Sequence, residues 1–307
     1  MDRRVIDTYN IQKYIPGEEI YVKSSKTKYH YASPEGLLSI ISNTEVYFTD
    51  IRYFNDKSEN SYIFNCFDLF LENHPNEYNV LRNLMNILFP TTEKSEDYLE
   101  NPKFPFADKS RRAFVFCTCV DKDSLCMWNY YVKNGNYNGY NIGLNPTEII
   151  RSFEKESSEI NVLFGNVIYS MKDQQKEIKL VADKLEKEFE GENNELAGLV
   201  LLYKYFQQYS AFFKNDKFSH EKEYRFVISI NEDMLSDYNG HAMKFSFRIN
   251  NGIVVPYIAL KFNKSALKHV TLSPNAEEIS RESLIELCNM KGYRNVTVDA
   301  SKIPIRF

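Results

Sequence analysis

The stretch HEKEYRFVISI, residues 220–230, decides the fold because a charged loop runs directly into a buried strand. Phe226, Ile228 and Ile230 recur at every second position, and an alternating run rich in β-branched and aromatic residues favours a strand over a helix. Glu223 stands where this strand begins, so we expect the sheet to hold its backbone while its carboxylate faces a cleft. The same charges are also typical of a salt-bridge ladder at the rim of a sheet, so the stretch alone supports both interpretations.

Composition indicates a globular chain with a large core. The sequence has 307 residues, of which 43% are hydrophobic and 15% aromatic, including 22 Tyr and 22 Phe. This length allows two domains or one large domain with insertions. The net charge of −4 argues against a general basic field of the kind that many nucleic-acid-binding proteins carry, although a local basic groove is compatible with it.

The cysteines and the N-terminal segment indicate a reducing compartment. Five cysteines are an odd number in a long chain, which argues against a disulfide scaffold. Cys117, Cys119 and Cys126 fit no common zinc spacing, so we expect buried thiols and no metal. The N-terminal segment MDRRVIDTYN has no apolar signal core, and no run approaches membrane-spanning length. We therefore expect a cytoplasmic protein.

Strands dominate the conspicuous motifs and helices fill the segments between them, which predicts an α+β fold. Ser33 followed by Pro34 predicts the start of a helix. Two apolar stripes at helical spacing predict a helical hairpin inserted at about residues 172–214, just before the Glu223 strand. We expect residues 1–28 to be an extension and residues 29–307 to form a single domain.

Several short motifs occur in a specific order along the chain. They are YHYAS at 29–33, VYFT at 46–49, FNDKSE at 54–59, FCT at 116–118, MWNYY at 127–131, GYNIG at 139–143, EKEYR at 221–225 and SKIPIR at 301–306. Together they resemble a widespread, largely uncharacterised bacterial domain family that is often found among phage-defence genes. The resemblance covers nearly the whole chain from Tyr29 to Arg306.

That family in turn resembles the ADP-ribosyltransferase superfamily. Its members with a His-Tyr-Glu arrangement carry a His on the first core strand, a Tyr after the second strand and a Glu that opens a later strand. His30 and Glu223 match the first and last of these, and Tyr53 and Tyr62 are both candidates for the middle one. The resemblance implies a split β-sheet core with inserted and flanking helices.

The resemblance also implies roles for individual residues, with NAD as the substrate. Breaking the bond between nicotinamide and ribose develops an oxocarbenium-like sugar, which a carboxylate such as Glu223 stabilises. His30 would bind a ribose hydroxyl, a Tyr would stack on nicotinamide, and Arg52 or Arg225 would meet the pyrophosphate. The catalytic residues implied are Glu223, His30 and Tyr53. The residues implied in NAD binding are His30, Tyr31, Ser33, Tyr47, Arg52, Asn55, Asp56, Tyr62 and Arg225.

The remaining candidates have alternative interpretations. Trp128 and Tyr131 share a helix face and form either a core anchor or a cleft wall. Asn55, Asp56 and Glu59 either order their loop or line an acceptor site. Glu221, two residues before Glu223, is a second carboxylate that some members of the superfamily use to orient the acceptor. His30 is equally compatible with a packed, hydrogen-bonded core position.

Three functions follow from these interpretations. The first is an NAD-dependent ADP-ribosyltransferase that acts as a toxin or anti-phage defence effector on RNA, DNA or protein, with RNA favoured by the family's phage-defence association. The second is an NAD glycohydrolase, and the third is an inactive module that binds a ligand or a protein. A toxin would also need an antitoxin or chaperone partner, and the helical insertion is a candidate docking surface.

Overall fold

The computed structural model describes residues 26–54, 61–89, 111–131, 139–156, 162–189, 195–231, 243–250 and 252–304. The predicted extension at 1–28 therefore lies almost entirely outside the described residues. Asn55, Asp56 and Glu59 lie outside them as well.

The described residues form one ten-stranded, mostly antiparallel sheet with helices packed against it. The strands are β1 (Lys28–Ala32), β2 (Glu45–Asp50), β3 (Arg111–Cys119), β4 (Tyr140–Leu144), β5 (Val162–Asn166), β6 (Glu223–Asn231), β7 (Met243–Asn250), β8 (Ile253–Lys261), β9 (Leu267–Leu272) and β10 (Thr297–Ala300). The helices are α1 (Pro34–Asn43), α2 (Tyr62–Asn73), α3 (Asn79–Leu88), α4 (Leu125–Tyr131), α5 (Pro146–Glu156), α6 (Met171–Phe189), α7 (Glu195–Tyr209) and α8 (Glu278–Met290). The predicted α+β class is confirmed.

Strand β3 is the branch point of the sheet. Along its whole length β3 pairs with β6, from Arg111 opposite Asn231 to Cys119 opposite Glu223. On its other edge β3 pairs with two strands in turn, with β2 at Val115 and with β1 at Cys119. The sheet is therefore split between β1 and β2, and helix α1 connects the two strands across the opening.

Two hydrophobic cores cover the two faces of the sheet. One lies beneath helices α2, α3, α6 and α7 and includes Val115 and Val227. The other lies beneath α1, α5 and α8 and includes Phe116 and Phe226. Because side chains alternate along a strand, Glu223 and Arg225 leave β6 on the first face, together with Val227.

Local sequence signals predict the start of α1 correctly. The Ser33 hydroxyl caps α1 by accepting a hydrogen bond from Gly36 N–H at 3.2 Å, and Pro34 is the first helical residue. The predicted helical hairpin corresponds to α6 and α7, but the prediction of helix up to residue 214 is wrong. Helix α7 ends at Tyr209, and Phe213 instead forms a short parallel bridge with Ile168.

Two other expectations concern the cysteines and the membrane. Cys66, Cys119 and Cys288 are buried, whereas Cys126 is exposed, so the expectation of a buried thiol is wrong for Cys126. Within the part of the chain that the structure describes, no helix is both long and apolar enough to cross a membrane.

Candidate functional site

The head of strand β6 carries two carboxylates that converge. A 3-10 helix, Asp216–Glu221, leads into the strand, and Lys222 links the two elements in the left-handed conformation, with φ of 45°. This conformation costs a non-glycine residue about 1–2 kcal/mol. The turn is followed directly by Glu223, the first residue of β6, and the side chains of Glu221 and Glu223 meet at one ammonium group, that of Lys214. The strained backbone at Lys222 therefore lies between the two glutamates whose side chains meet at Lys214.

Four charged side chains form a buried cluster at this point, which we call the carboxylate cluster: Lys214, Glu221, Glu223 and Arg225. The Lys214 ammonium donates to Glu221 Oε2 at 2.6 Å and to Glu223 Oε1 at 2.7 Å. The second oxygen of Glu223, Oε2, accepts from Arg225 Nε at 2.6 Å, and Arg225 Nη1 donates to the Ala211 carbonyl at 2.7 Å. The residues of the cluster are 0–8% exposed. Short charge-assisted bonds of this kind offset much of the cost of burying charge.

The surroundings shift the pKa values of Glu221 and Glu223 in opposite directions. Burial, a hydrogen bond with Glu223 and the negative charge of Glu223 raise the pKa of Glu221 to about 8, and Lys214 opposes this only in part. Burial alone would also raise the pKa of Glu223. The Arg225 charge, the hydrogen bond from Glu221 and the Lys214 charge outweigh burial and hold the pKa of Glu223 well below its usual range. The surroundings therefore favour the protonated form of Glu221 and the ionised form of Glu223.

Two tyrosines adjoin the carboxylate cluster. The Tyr169 hydroxyl accepts a hydrogen bond from the Glu223 N–H at 3.1 Å. Burial, followed by the negative charge of Glu223, raises the pKa of both Tyr169 and Tyr131 above the ordinary phenol value, so both phenols remain protonated. Tyr131, the last residue of α4, is nevertheless 40% exposed, which places it at the boundary between the cluster and solvent.

An open cleft lies beside the carboxylate cluster. Its volume is about 700 Å³, and Tyr169 lies in its wall together with Lys172, Asp216 and Ser219. Ligand pockets typically have volumes of roughly 300–1,000 Å³, and the volume of this cleft falls within that range. Tyr169 thus connects the cleft to the backbone of Glu223 directly.

His30 lies at the split of the sheet rather than in the carboxylate cluster. Its ring packs against Phe116 with centroids 4.8 Å apart, and Nδ1–H donates to the Cys117 carbonyl at 2.8 Å. Tyr29 pairs with Cys119, and Cys119 pairs with Glu223, so these three side chains lie on the same face of the sheet. Successive residues of a strand alternate between faces, so the His30 side chain leaves β1 on the opposite face. Burial and the Arg248 charge lower the pKa of His30 to about 4, although the bond to Cys117 opposes the shift, and the ring is neutral.

Tyr31 and Trp128 are anchors of a small core. The Tyr31 hydroxyl accepts from Ser124 N–H at 2.9 Å and donates to the Asp121 carbonyl at 3.0 Å. The Trp128 indole is fully buried, packs edge-on against Tyr31 and donates to Asp123 at 2.8 Å. Of the two interpretations of Trp128, these contacts favour the core anchor.

The other predicted residues are dispersed around the sheet. Ser33 caps α1, and the buried Tyr62 hydroxyl donates to Gln174 Oε1 at 3.5 Å. Arg52 forms a two-pronged ion pair with Asp50, and Tyr53 is 38% exposed in the short 3-10 turn that begins at Ile51. The structure thus brings together Glu221, Glu223, Arg225 and Tyr131, but not His30, Tyr53 or Tyr62.

The sequence interpretation missed Lys214 and Tyr169. Lys214 follows Phe212 and Phe213, two fully buried residues, and a lysine that continues such an apolar run indicates a buried charged partner. No comparable local signal marks Tyr169, because its contact with Glu223 depends on the approach of β5 to β6.

A family model matches the part of the chain that contains the carboxylate cluster. Residues 127–226 match the model of a family described as a protein of unknown function, DUF2971. The matched segment contains the whole carboxylate cluster and both neighbouring tyrosines, whereas His30 and Arg248 lie outside it. No curated protein and no solved structure matches the chain. The chain is therefore similar to the DUF2971 family over less than half of its length.

Proposed function

We propose that the protein is an NAD-dependent ADP-ribosyltransferase whose catalytic centre is the carboxylate cluster. The observation that carries the proposal is the pairing of Glu221 and Glu223 on one ammonium, in environments that move their pKa values apart. A protonated and an ionised carboxyl side by side are typical of enzymes that cleave glycosidic bonds. The order of motifs from Tyr29 to Arg306 supports the same chemistry by resemblance.

The ionised Glu223 carboxylate has the main catalytic role. When the bond between nicotinamide and ribose C1′ breaks, its electron pair leaves with nicotinamide and positive charge develops on the sugar. A rigid carboxylate stabilises that charge, because its orientation is fixed before the reaction begins. Two hydrogen bonds, from Lys214 and Arg225, fix the Glu223 carboxylate in the resting structure.

The protonated Glu221 is the group that orients the acceptor. Its carboxyl group can donate a hydrogen bond, and its side chain is more exposed than that of Glu223, 10% against 2%. The acceptor's lone pair then forms the new bond to C1′, and its proton passes to water. The cleft that Tyr169 lines is the candidate binding space for the substrate, because the Tyr169 hydroxyl is bonded to the backbone of Glu223.

The proposal assigns a smaller role to His30 than the superfamily pattern implies. Because His30 leaves the sheet on the opposite face, it does not share a site with Glu223 in the resting structure. Arg225 likewise positions Glu223 and is fully buried, so it does not meet the pyrophosphate. Split strand pairing around β3 supports the resemblance at the level of architecture.

The biological setting that we propose follows from the resemblance. The enzyme would be a toxin or anti-phage defence effector in the cytoplasm, with RNA as the favoured acceptor over DNA or protein. An antitoxin or chaperone would silence it before it is triggered.

The test uses NAD labelled in its adenine half. The intact protein, Glu223→Gln and the control Glu278→Gln, whose side chain is 72% exposed, would each be incubated with total RNA, DNA and cell protein. We expect label on one pool with the intact protein and the control, but not with Glu223→Gln. Free ADP-ribose alone would favour the glycohydrolase, and unchanged NAD with every pool would favour the inactive binding module.

A further inference from the structure

Strand β7 lies at one end of the strand order of the sheet and exposes a row of large apolar side chains. Phe247 is 59% exposed and Ile249 is 69% exposed, and both lie on the same face because successive side chains of a strand alternate. The neighbouring strand adds Val254, which pairs with Ile249 and is 58% exposed. We call Phe247, Ile249 and Val254 the apolar edge. Apolar side chains that are exposed together are typical of an interaction surface.

The apolar edge continues the hydrophobic core that lies beneath α1, α5 and α8. Phe245, the preceding residue of β7 on the same face, packs against that core, and its ring centre lies 5.2 Å from that of Phe247. Phe245 pairs with Ile258, which is 1% exposed. This face of β7 is therefore apolar from the core out to Ile249, close to the tip of the hairpin that β7 forms with β8.

The backbone of β7 can pair along its outer edge. The strand pairs with β8 from Met243 to Asn250 without a shift in register, so every second residue directs its N–H and C=O away from β8. Within the ranges that the structure describes, no backbone hydrogen bond joins this outer edge to another segment. Proteins often protect such an edge with a proline or a bulge. Strand β7 contains no proline, and its pairing with β8 has no bulge.

The charge of Arg248, between Phe247 and Ile249 in the sequence, is directed away from the edge. Its guanidinium carbon lies 5.7 Å from the centre of the Tyr47 ring and 5.9 Å from that of Tyr257. Its Nη2 donates to Thr49 Oγ1 at 2.8 Å. These partners belong to β2 and β8, so the guanidinium lies over the neighbouring strands on the face opposite to the apolar edge.

We propose that the apolar edge binds a second copy of this chain, through antiparallel pairing of β7 with β7 of the partner about a two-fold axis at Phe247. A two-fold interface requires a surface that is complementary to itself. With the axis at Phe247, the two copies of this residue lie opposite each other, and Phe245 lies opposite the partner's Ile249. Arg248 then lies opposite the partner's Ser246, so like charges do not face each other. An axis at Arg248 would place the two arginines opposite each other.

This pairing satisfies the backbone and the side chains of β7 together. The outward N–H and C=O groups of the two copies would bond to each other. The two apolar edges would lie side by side on one face of the joined sheet and shield each other from water. The inference does not rest on the proposed NAD chemistry, because β8, β2 and β3 separate β7 from the Glu223 strand β6.

Sedimentation velocity over a series of protein concentrations tests whether the chain dimerises through this edge. We expect the intact protein to reach twice the mass of one chain. Phe247→Lys places two ammonium groups opposite each other at the axis, so this variant should remain at the mass of one chain at the same concentrations. The matched control is Ile253→Lys, which changes an apolar side chain of similar exposure, 52%, on the other face of the same hairpin. It should dimerise as the intact protein does.

Disulfide formation tests the register of the pairing. Both variants carry Cys126→Ser, which removes an exposed thiol of the native chain. Phe247→Cys places two thiols directly opposite each other, with Cα atoms about 4.5–5.5 Å apart, within the range of a disulfide. Ile249→Cys is the control, because its two copies would be four residues apart, about 13 Å. We expect mild oxidation to give a covalent dimer of the first variant and none of the second.

Four results would overturn the proposal. The intact protein could stay at the mass of one chain at every concentration, which would leave the edge to a strand of another protein. Phe247→Lys could dimerise as tightly as the intact protein, or Ile253→Lys could dissociate the dimer to the same extent as Phe247→Lys. The two cysteine variants could also cross-link equally, which would contradict the axis at Phe247.

Discussion

Replacing Lys214 by Met should destabilise the protein strongly, because Lys214 joins both carboxylates of the cluster. Its side chain is 6% exposed and its ammonium lies 2.6 and 2.7 Å from the two carboxylate oxygens. Removing one partner of a buried ion pair costs about 3–5 kcal/mol. The surroundings favour the protonated form of Glu221, and Glu223 keeps its bond to Arg225, so the cost belongs at the lower end, about 3 kcal/mol.

Urea unfolding followed by the fluorescence of Trp128 would measure this change. Trp128 is the only tryptophan of the chain and is fully buried, so its emission reports unfolding of the surrounding core. The matched control is Lys222→Met, which removes a neighbouring lysine that is 55% exposed and paired with Asp121. An exposed pair contributes about 0–1 kcal/mol. If the two variants lost the same free energy of unfolding, the cluster would not be the buried ion-pair network that we describe.

Three further predictions concern pH and packing. The raised pKa of Glu221, about 8, lies above the pKa of an unfolded glutamate, about 4.5, so the free energy of unfolding should fall as pH rises between these values, by at most about 1.4 kcal/mol per pH unit. Urea unfolding of Glu221→Gln should show a shallower slope, and equal slopes would refute the raised pKa. Gly143→Ala should lower the thermal midpoint, because a new Cβ would lie 3.0 Å from side-chain carbons of His269 and Thr27, at a cost of about 1–3 kcal/mol. Gly36→Ala in α1 is the control, and it should not destabilise the protein because the closest contact of its Cβ would be 3.4 Å. A melting experiment in which both variants behave alike would contradict this packing. Tyr31→Phe removes two hydrogen bonds of a buried phenol and should cost about 1–3 kcal/mol by urea unfolding, and a neutral result would show that Ser124 N–H and the Asp121 carbonyl find other partners.

Features set by neighbouring residues could be predicted from the sequence. The Ser33 cap, the Pro34 start of α1 and the opening of β6 at Glu223 each depend on a few consecutive residues, and the structure confirms all three. The wrong extension of α7 to residue 214 arises because a tertiary contact, the bridge between Phe213 and Ile168, overrides the local helical pattern.

Features set by strand pairing could not be predicted in this way. The contact of Tyr169 with Glu223 requires the register of β5 against β6, and the contact of Arg248 with Thr49 requires β7, β8 and β2 to be neighbours in the sheet. Side chains change face when a strand shifts by one residue, so no motif could show that His30 and Glu223 lie on opposite faces. Whether the Glu223 charge lies at an exposed rim or inside the protein likewise depended on tertiary structure, and Glu223 is only 3% exposed.

Release of nicotinamide from NAD tests the central claim most directly, because it detects bond cleavage whether or not an acceptor is present. Chromatography would compare the intact protein with Glu223→Gln and with the surface control Glu278→Gln, after unfolding experiments show that all three are folded. We predict that Glu223→Gln releases nicotinamide about 100- to 1,000-fold more slowly than the intact protein, the loss expected when one preorganised electrostatic group is removed. Equal rates in Glu223→Gln and the intact protein, or no release by either in the presence of RNA, DNA and cell protein, would contradict the account and leave the carboxylate cluster with a structural role.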